Sequence, residues 1–144
     1  MSAASALAFA PDAAMALGIA ATAMPFAPTS EARAERWLRI LRLHGESGVV
    51  LQALGVSEGR LQAPRASEDP ERAVLDQLDD ADAVGQVVER AMHIAHQRDA
   101  ASIATTDLLL AVMDVYGADF ERVLRAHGTD RNEVSERLLD AHIA

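Results

Sequence analysis

Apolar residues recur with the period of an α-helix in the C-terminal half of the chain, most clearly in the run from Thr105 to Met113. A hydroxyl group of Thr105 or Thr106 can accept a hydrogen bond from an orphan N–H at a helix start. Asp107 then lies in the first turn, where the helix dipole favours a negative charge. The apolar face that follows is too wide for a lone surface helix, so other elements must cover it.

Amphipathic patterns on both sides of this run supply the cover. The upstream helix has an apolar stripe formed by Val84, Val87, Val88, Ala91, Ile94 and Ala95. Downstream, the short segment from Phe120 to Leu124 is closed by Gly128, as glycine commonly closes a helix. Residues 130–133 have the form of a capping box that opens a further helix. The pattern therefore predicts four helices in one compact unit.

A second copy of this unit is predicted earlier in the chain. Segments 50–61 and 123–134 share a Val-Leu pair, an alanine and the turn glycine, which is Gly55 in the first and Gly128 in the second. Because the turn and the helices on both sides agree, we expect a duplicated structural unit.

The N-terminal half is assigned by the same rules. Thr29 or Ser30 is expected to cap a helix that runs through Leu43, with Trp37 in the core. We expect an all-α fold divided into a flexible tail at 1–11, a degenerate first repeat at 12–63 that begins with a helix at 12–24, a linker with a short helix at 64–79, and a second repeat at 80–144.

Composition narrows the possible functions. The net charge of −9 disfavours nucleic acid and anionic membranes as partners, and leaves a basic protein or peptide as a possibility. There are no cysteines, which fits a reducing compartment. No lysine or arginine precedes Arg33, so the basic start of a secretory signal is missing. A cytoplasmic protein is the expectation.

Catalytic motifs are scarce. His93 and His96 lie three positions apart on a helix, a spacing that can place two imidazoles on one metal, but no third ligand is evident. The chain has no GxSxG elbow and no GxxxxGK[ST] phosphate loop. We therefore predict no enzyme activity, no catalytic residues, no metal site and no cofactor.

The run from Ile103 to Met113, followed by Val123-Leu124 and Gly128, resembles the second repeat of the Clp N-terminal domain. That module precedes the ATPase rings of Clp unfoldases. The resemblance implies two tandem four-helix repeats packed as one pseudo-twofold domain, with the first repeat degenerate. It also implies that the chain binds substrates or adaptors without catalysis of its own.

The resemblance also indicates which residues contact a ligand. Some domains of this family resemble receptors for phosphorylated arginine, in which the Glu of a T-E-H motif binds the guanidinium. Here Thr105, Thr106 and Asp107 occupy the motif positions of the second repeat. Glu35 holds the corresponding place in the first repeat, where Arg33 or Arg36 would supply the phosphate contacts. A neutral Thr106 hydroxyl cannot form a bidentate, charge-assisted pair, so we expect weak phosphoarginine binding or none.

Three functional hypotheses follow. The first is a stand-alone binding module that acts on a Clp ATPase, a ClpP-type protease or their substrates, as adaptor, competitor or regulator. The second is a module that sequesters a peptide-like antibiotic or another small ligand. The third, least favoured, is a metal hydrolase that uses His93 and His96.

Overall fold

The computed structural model describes residues 8–27, 29–56 and 83–143. In this part of the chain the helices are α1 Pro11–Ala23, α2 Ser30–Arg42, α3 Gly45–Ala53, α4 Ala83–Gln97, α5 Thr105–Tyr116, α6 Ala118–Ala126 and α7 Arg131–Ile143. A 3₁₀ turn spans Met24–Phe26, and the two short strands are β1 Ala8–Phe9 and β2 Ser102–Ile103. The predicted all-helical class is confirmed for these residues. None of these helices is both long and apolar enough to cross a lipid bilayer.

Helix α5 forms the centre of the fold. Its side chains from Thr105 to Leu109 are all buried, and α1, α2, α3, α4, α6 and α7 pack around it. Leu109 has no exposed surface, and neither has Leu124 on α6. The prediction that the run from Thr105 begins a buried helix is confirmed.

The cap of α5 differs from the prediction. The N-cap residue is Ala104, which has no side-chain oxygen, so neither Thr105 nor Thr106 is the N-cap residue. The carboxylate of Asp107 instead reaches back and accepts a hydrogen bond from the Ala104 N–H at 2.9 Å. This contact is one half of a capping box, and the acidic residue at the third helical position supplies it.

Helix α2 forms as the sequence predicts. Thr29 is its N-cap, and its hydroxyl oxygen accepts a hydrogen bond from the Ala32 N–H at 3.0 Å. Trp37, Leu38 and Leu41 have no exposed surface. This face packs against α5 and α6.

Helices α3 and α6 end in the same kind of turn. Gly55 and Gly128 have φ angles of 93° and 89°, in the left-handed region that glycine tolerates best. In each turn the residue after glycine donates its N–H to the carbonyl five positions earlier, at 3.0 and 3.1 Å; these bonds join Val56 N to Leu51 O and Thr129 N to Leu124 O. The geometry is that of a Schellman motif. Residues 57–61 of the first segment lie outside the described residues.

The turn alone does not identify the two copies, because α4 ends in the same way. Asp99 has a φ angle of 57°, and the following Ala100 N–H donates to the Ala95 carbonyl at 3.0 Å. A left-handed residue with this bond is a general helix ending. Evidence for duplication must therefore include the helices themselves.

A short parallel strand pair joins the N-terminal segment to the start of α5. β1 pairs with β2, and the Ala10 N–H donates to the Ile103 carbonyl at 2.9 Å. Residues 8–11, which belong to the tail predicted at 1–11, form β1, the Ala10 backbone bond and the first residue of α1. A two-residue strand is too short for the alternation by which strands are read from sequence. The linker predicted at 64–79, with its short helix, lies outside the described residues.

The core assignment generates a stability prediction. Leu109→Ala removes a fully buried side chain and is expected to cost roughly 2 to 5 kcal/mol of unfolding free energy. His96→Ala, on the exposed face of α4, is the control and should change it by about 0.5 kcal/mol or less. Denaturant unfolding of both variants tests this. Equal destabilisation would contradict the core assignment.

Candidate functional site

The predicted ligand-binding residues of the second repeat lie in the first turn of α5 and are buried. Thr105 is 1% exposed, Thr106 2% and Asp107 0%. The Thr105 hydroxyl oxygen accepts a hydrogen bond from the Ser47 N–H at 3.1 Å, which ties α5 to the first turn of α3. These contacts place all three residues at the interior of the fold.

Asp107 is paired with Arg98, which lies in the turn after α4. Arg98 Nε donates to one carboxylate oxygen at 2.7 Å, and its Nη2 donates to the other at 2.5 Å. Together with the Ala104 N–H, these donors form a charge-assisted set around the buried carboxylate. The hydrogen bond to Asp107 raises the pKa of Arg98, and partial burial opposes this shift. An external guanidinium would have to displace Arg98 to reach Asp107.

Close packing around Thr105 leaves no room for a larger side chain on α3. Gly45, the first residue of α3, has a φ angle of 60°. A Cβ atom there would overlap the carboxylate of Asp12 and lie 2.7 Å from the Thr105 hydroxyl oxygen. The starts of α1, α3 and α5 therefore meet at this point, with glycine allowing the contact.

The predicted residues of the first repeat lie elsewhere, on α2. Glu35 faces His127 at the end of α6, and His127 Nε2 lies 3.3 and 3.4 Å from the two carboxylate oxygens. Both side chains are largely buried, at 16% exposure for Glu35 and 7% for His127. Arg36 is partly exposed. Glu35 and Asp107 thus belong to two separate clusters.

The environment of Glu35 disfavours its charge. Burial raises the pKa of the Glu35 carboxyl; His127 and Arg39 act to lower it, and the nearby Glu31 adds to the rise. A buried acid whose pKa is shifted is often found at a functional site, although structural pairs show the same shift. The sequence gives no local signal for His127, because its partner Glu35 lies 92 positions away and no motif joins them.

A third feature is an apolar surface on the outside of α1. We call it the α1 face; its exposed members are Ala14, Met15, Gly18, Ile19 and Ala21, continued by Phe26 of the 3₁₀ turn. Met15 is 62% exposed and Phe26 77%. No charged residue lies between Asp12 and the start of α2. A run of exposed apolar residues of this kind marks a candidate interaction surface.

His93 and His96 are both exposed on α4. Among residues 8–27, 29–56 and 83–143, no group of three or more histidine, cysteine, aspartate or glutamate side chains is arranged to hold a metal ion.

Comparison with known proteins adds no relative: no family model matches the chain, and neither a curated protein nor a solved structure is significantly similar to it.

The Glu35 cluster predicts a pH-dependent effect of Glu35→Gln. Because burial raises the pKa, the folded protein holds this proton more tightly than the unfolded chain does. Its stabilising contribution is complete below the ordinary value of 4.5 and is lost as the pH rises through the folded-state pKa. Glutamine does not titrate, so the variant does not lose this contribution as the pH rises. The stability of Glu35→Gln relative to wild type should therefore be higher at pH 7 than at pH 4.

Urea unfolding at the two pH values measures this difference. Glu89→Gln on the exposed face of α4 corrects for the loss of one negative charge. A relative stability that falls from pH 4 to pH 7 would contradict the assigned direction of the pKa shift.

Proposed function

We propose that the chain is a non-catalytic module that binds an apolar segment of a protein or peptide and regulates a Clp chaperone-protease system. The α1 face carries this proposal, because Met15 and Phe26 are mostly exposed on a surface without charged side chains. Burying such side chains in a partner is favourable at roughly 25 cal/mol per Å² of apolar area. The partner system is cytoplasmic, and we propose the same location for this protein.

A tandem-repeat architecture is part of the proposal. Helices α3 and α6 are both nine residues long, and each follows a longer helix after a short turn. Residues 50–56 and 123–129 have the same order of buried and exposed positions. Helix α2 packs against α6, and α5 packs against α3, as a pseudo-twofold pairing requires. These correspondences support two copies of one unit, in line with the Clp N-terminal resemblance.

The buried polar groups hold elements of the fold together. Arg98 and Asp107 hold the turn after α4 against the start of α5. Glu35 and His127 hold α2 against the end of α6. General acid–base catalysis needs a group within hydrogen-bond reach of the substrate, and His127 has 7% of its side chain exposed. The α1 face, in contrast, is exposed and apolar, which favours binding over catalysis.

A second candidate function is sequestration of a peptide-like antibiotic or another small apolar ligand. The α1 face lies on a helix of 13 residues and a 3₁₀ turn of 3 residues, a surface long enough for a short peptide to lie along it. Under this alternative the same residues bind, and no unfoldase takes part.

Direct binding tests the proposal. The chain should bind a purified Clp unfoldase from its own source and change the rate at which the unfoldase and its protease degrade a model substrate. Met15→Ser and Phe26→Ser should weaken both effects, because each removes exposed apolar surface without opening the core. Leu139→Ser, at a 61% exposed position on α7, is the matched control.

Two outcomes would contradict this function. Binding that survives both α1-face substitutions would place the contact elsewhere. No binding to the unfoldase, together with saturable binding of an apolar peptide lost in Phe26→Ser, would favour sequestration.

Phosphoarginine should bind weakly or not at all. Thr106 is neutral, and both carboxylate oxygens of Asp107 are occupied by Arg98. Calorimetric titration with free phosphoarginine is the measurement. A micromolar site that disappears in Asp107→Asn, in a variant still folded by circular dichroism, would contradict this prediction.

A further inference from the structure

The described methionines differ sharply in their exposure to solvent. Met24 is 5% exposed and Met113 3%, and both belong to the hydrophobic core. Met92 is partly buried and packs against that core. Met15, on the outer side of α1, is 62% exposed. Among these four thioethers, that of Met15 is therefore the one most accessible to a dissolved reagent.

The surroundings of Met15 on α1 leave its side chain open. Gly18, three positions later, lies on the same side of the helix and has no side chain. A Cβ atom at Gly18 would meet nothing within 4 Å, so no described group covers α1 at that point. Ile19, one turn after Met15, is itself 39% exposed. A small oxidant can therefore reach the Met15 side chain without any opening of the fold.

A thioether reacts with a peroxide at its sulfur atom. A sulfur lone pair attacks one peroxide oxygen, so that a sulfur–oxygen bond forms while the oxygen–oxygen bond breaks. With hydrogen peroxide, the second oxygen takes up a proton and leaves as water. The sulfur loses two electrons, and the peroxide gains them. The product is methionine sulfoxide, which is polar and which methionine sulfoxide reductases convert back to the thioether.

We propose that Met15 is a reversible oxidation site, at which a small peroxide makes the apolar α1 face polar while the fold stays intact. Met15 and Phe26 are the two most exposed large side chains of that face, so one sulfoxide changes much of its character. A sulfoxide at Met24 or Met113 would instead lie in the core and disrupt its packing. The oxidation site stands without the proposed function, whereas release of the unfoldase by oxidation rests on it.

Peptide mapping after graded hydrogen peroxide treatment of the full chain tests the site. No lysine or arginine precedes Arg33, so fragment-ion mass spectrometry must separate Met15 from Met1 and Met24. Met15 should be oxidised about tenfold faster than Met24 and Met113 or more, because buried sulfur reacts only when the fold opens. In urea that unfolds the chain, the difference should disappear. Equal rates in the folded chain, or a difference that persists in urea, would overturn the site.

Two variants test the change in the α1 face. Met15→Leu keeps the size and apolar character without an oxidisable sulfur, and Met15→Gln carries a polar group of similar length. Peroxide should shorten the retention of wild type on a hydrophobic-interaction column towards that of Met15→Gln, without lowering its melting temperature. Met15→Leu should keep the retention that it has before treatment, and Met92→Leu, the matched control, should shift as wild type does. An equal shift in Met15→Leu, or a lowered melting temperature of the chain oxidised at Met15, would overturn the inference.

Unfoldase binding separates this inference from the proposed function. Peroxide should weaken binding by wild type, a sulfoxide reductase should restore it, and Met15→Leu should bind equally well before and after treatment. Binding that survives complete oxidation of Met15 would overturn the regulatory part. If the untreated chain binds no unfoldase while Met15 is still oxidised first, the proposed function falls and the oxidation site stands. If the untreated chain binds and Met15 is not oxidised first, the site falls and the proposed function stands.

Discussion

The buried carboxylate of Asp107 is the constraint on which the centre of the fold depends. A charge with no exposed surface must be matched by donors, and Arg98 together with the Ala104 N–H supplies them. Removing Arg98 would leave the buried carboxylate without its charged partner, whereas Arg98, with 33% of its side chain exposed, remains in contact with solvent. The pair fixes where α5 begins and how the turn after α4 approaches it. The Thr105 hydroxyl oxygen accepts a hydrogen bond from the Ser47 N–H, which holds the start of α3 against the start of α5.

Sequence patterns predicted the features that depend on residues close together in the chain. The helices of the C-terminal half, the Thr29 cap and the glycine turns depend on residues a few positions apart, and each is present. The contacts that build the candidate sites depend on distant residues. Glu35 contacts His127, which lies 92 positions later in the chain, and no local sequence pattern connects the two residues. The cap of α5 differs from the prediction because Asp107, at the third helical position, accepts from the Ala104 N–H, whereas capping preferences favour a hydroxyl at the cap residue itself.

The two groups of residues predicted to bind a ligand make contacts between elements of the fold. Thr105 and Asp107 hold helix starts together, and Glu35 holds α2 against α6. The polar groups of these residues make hydrogen bonds within the fold. A carboxylate that has no accessible surface and both oxygens hydrogen-bonded can bind a ligand only after one of its partners leaves. The exposed apolar residues of α1 offer contact area without any such rearrangement.

Helix α1 has apolar residues on both its inner and its outer face, whereas most surface helices have a polar outer face. The fully buried positions of its inner face are alanines, Ala13, Ala16 and Ala20, so α1 can lie close to the helices beneath it. Its outer face is equally free of charge, although solvated helix faces are usually polar. A helix that is apolar all round is ordinarily buried on all sides. In this molecule the fold covers one side of α1, and the other side remains exposed.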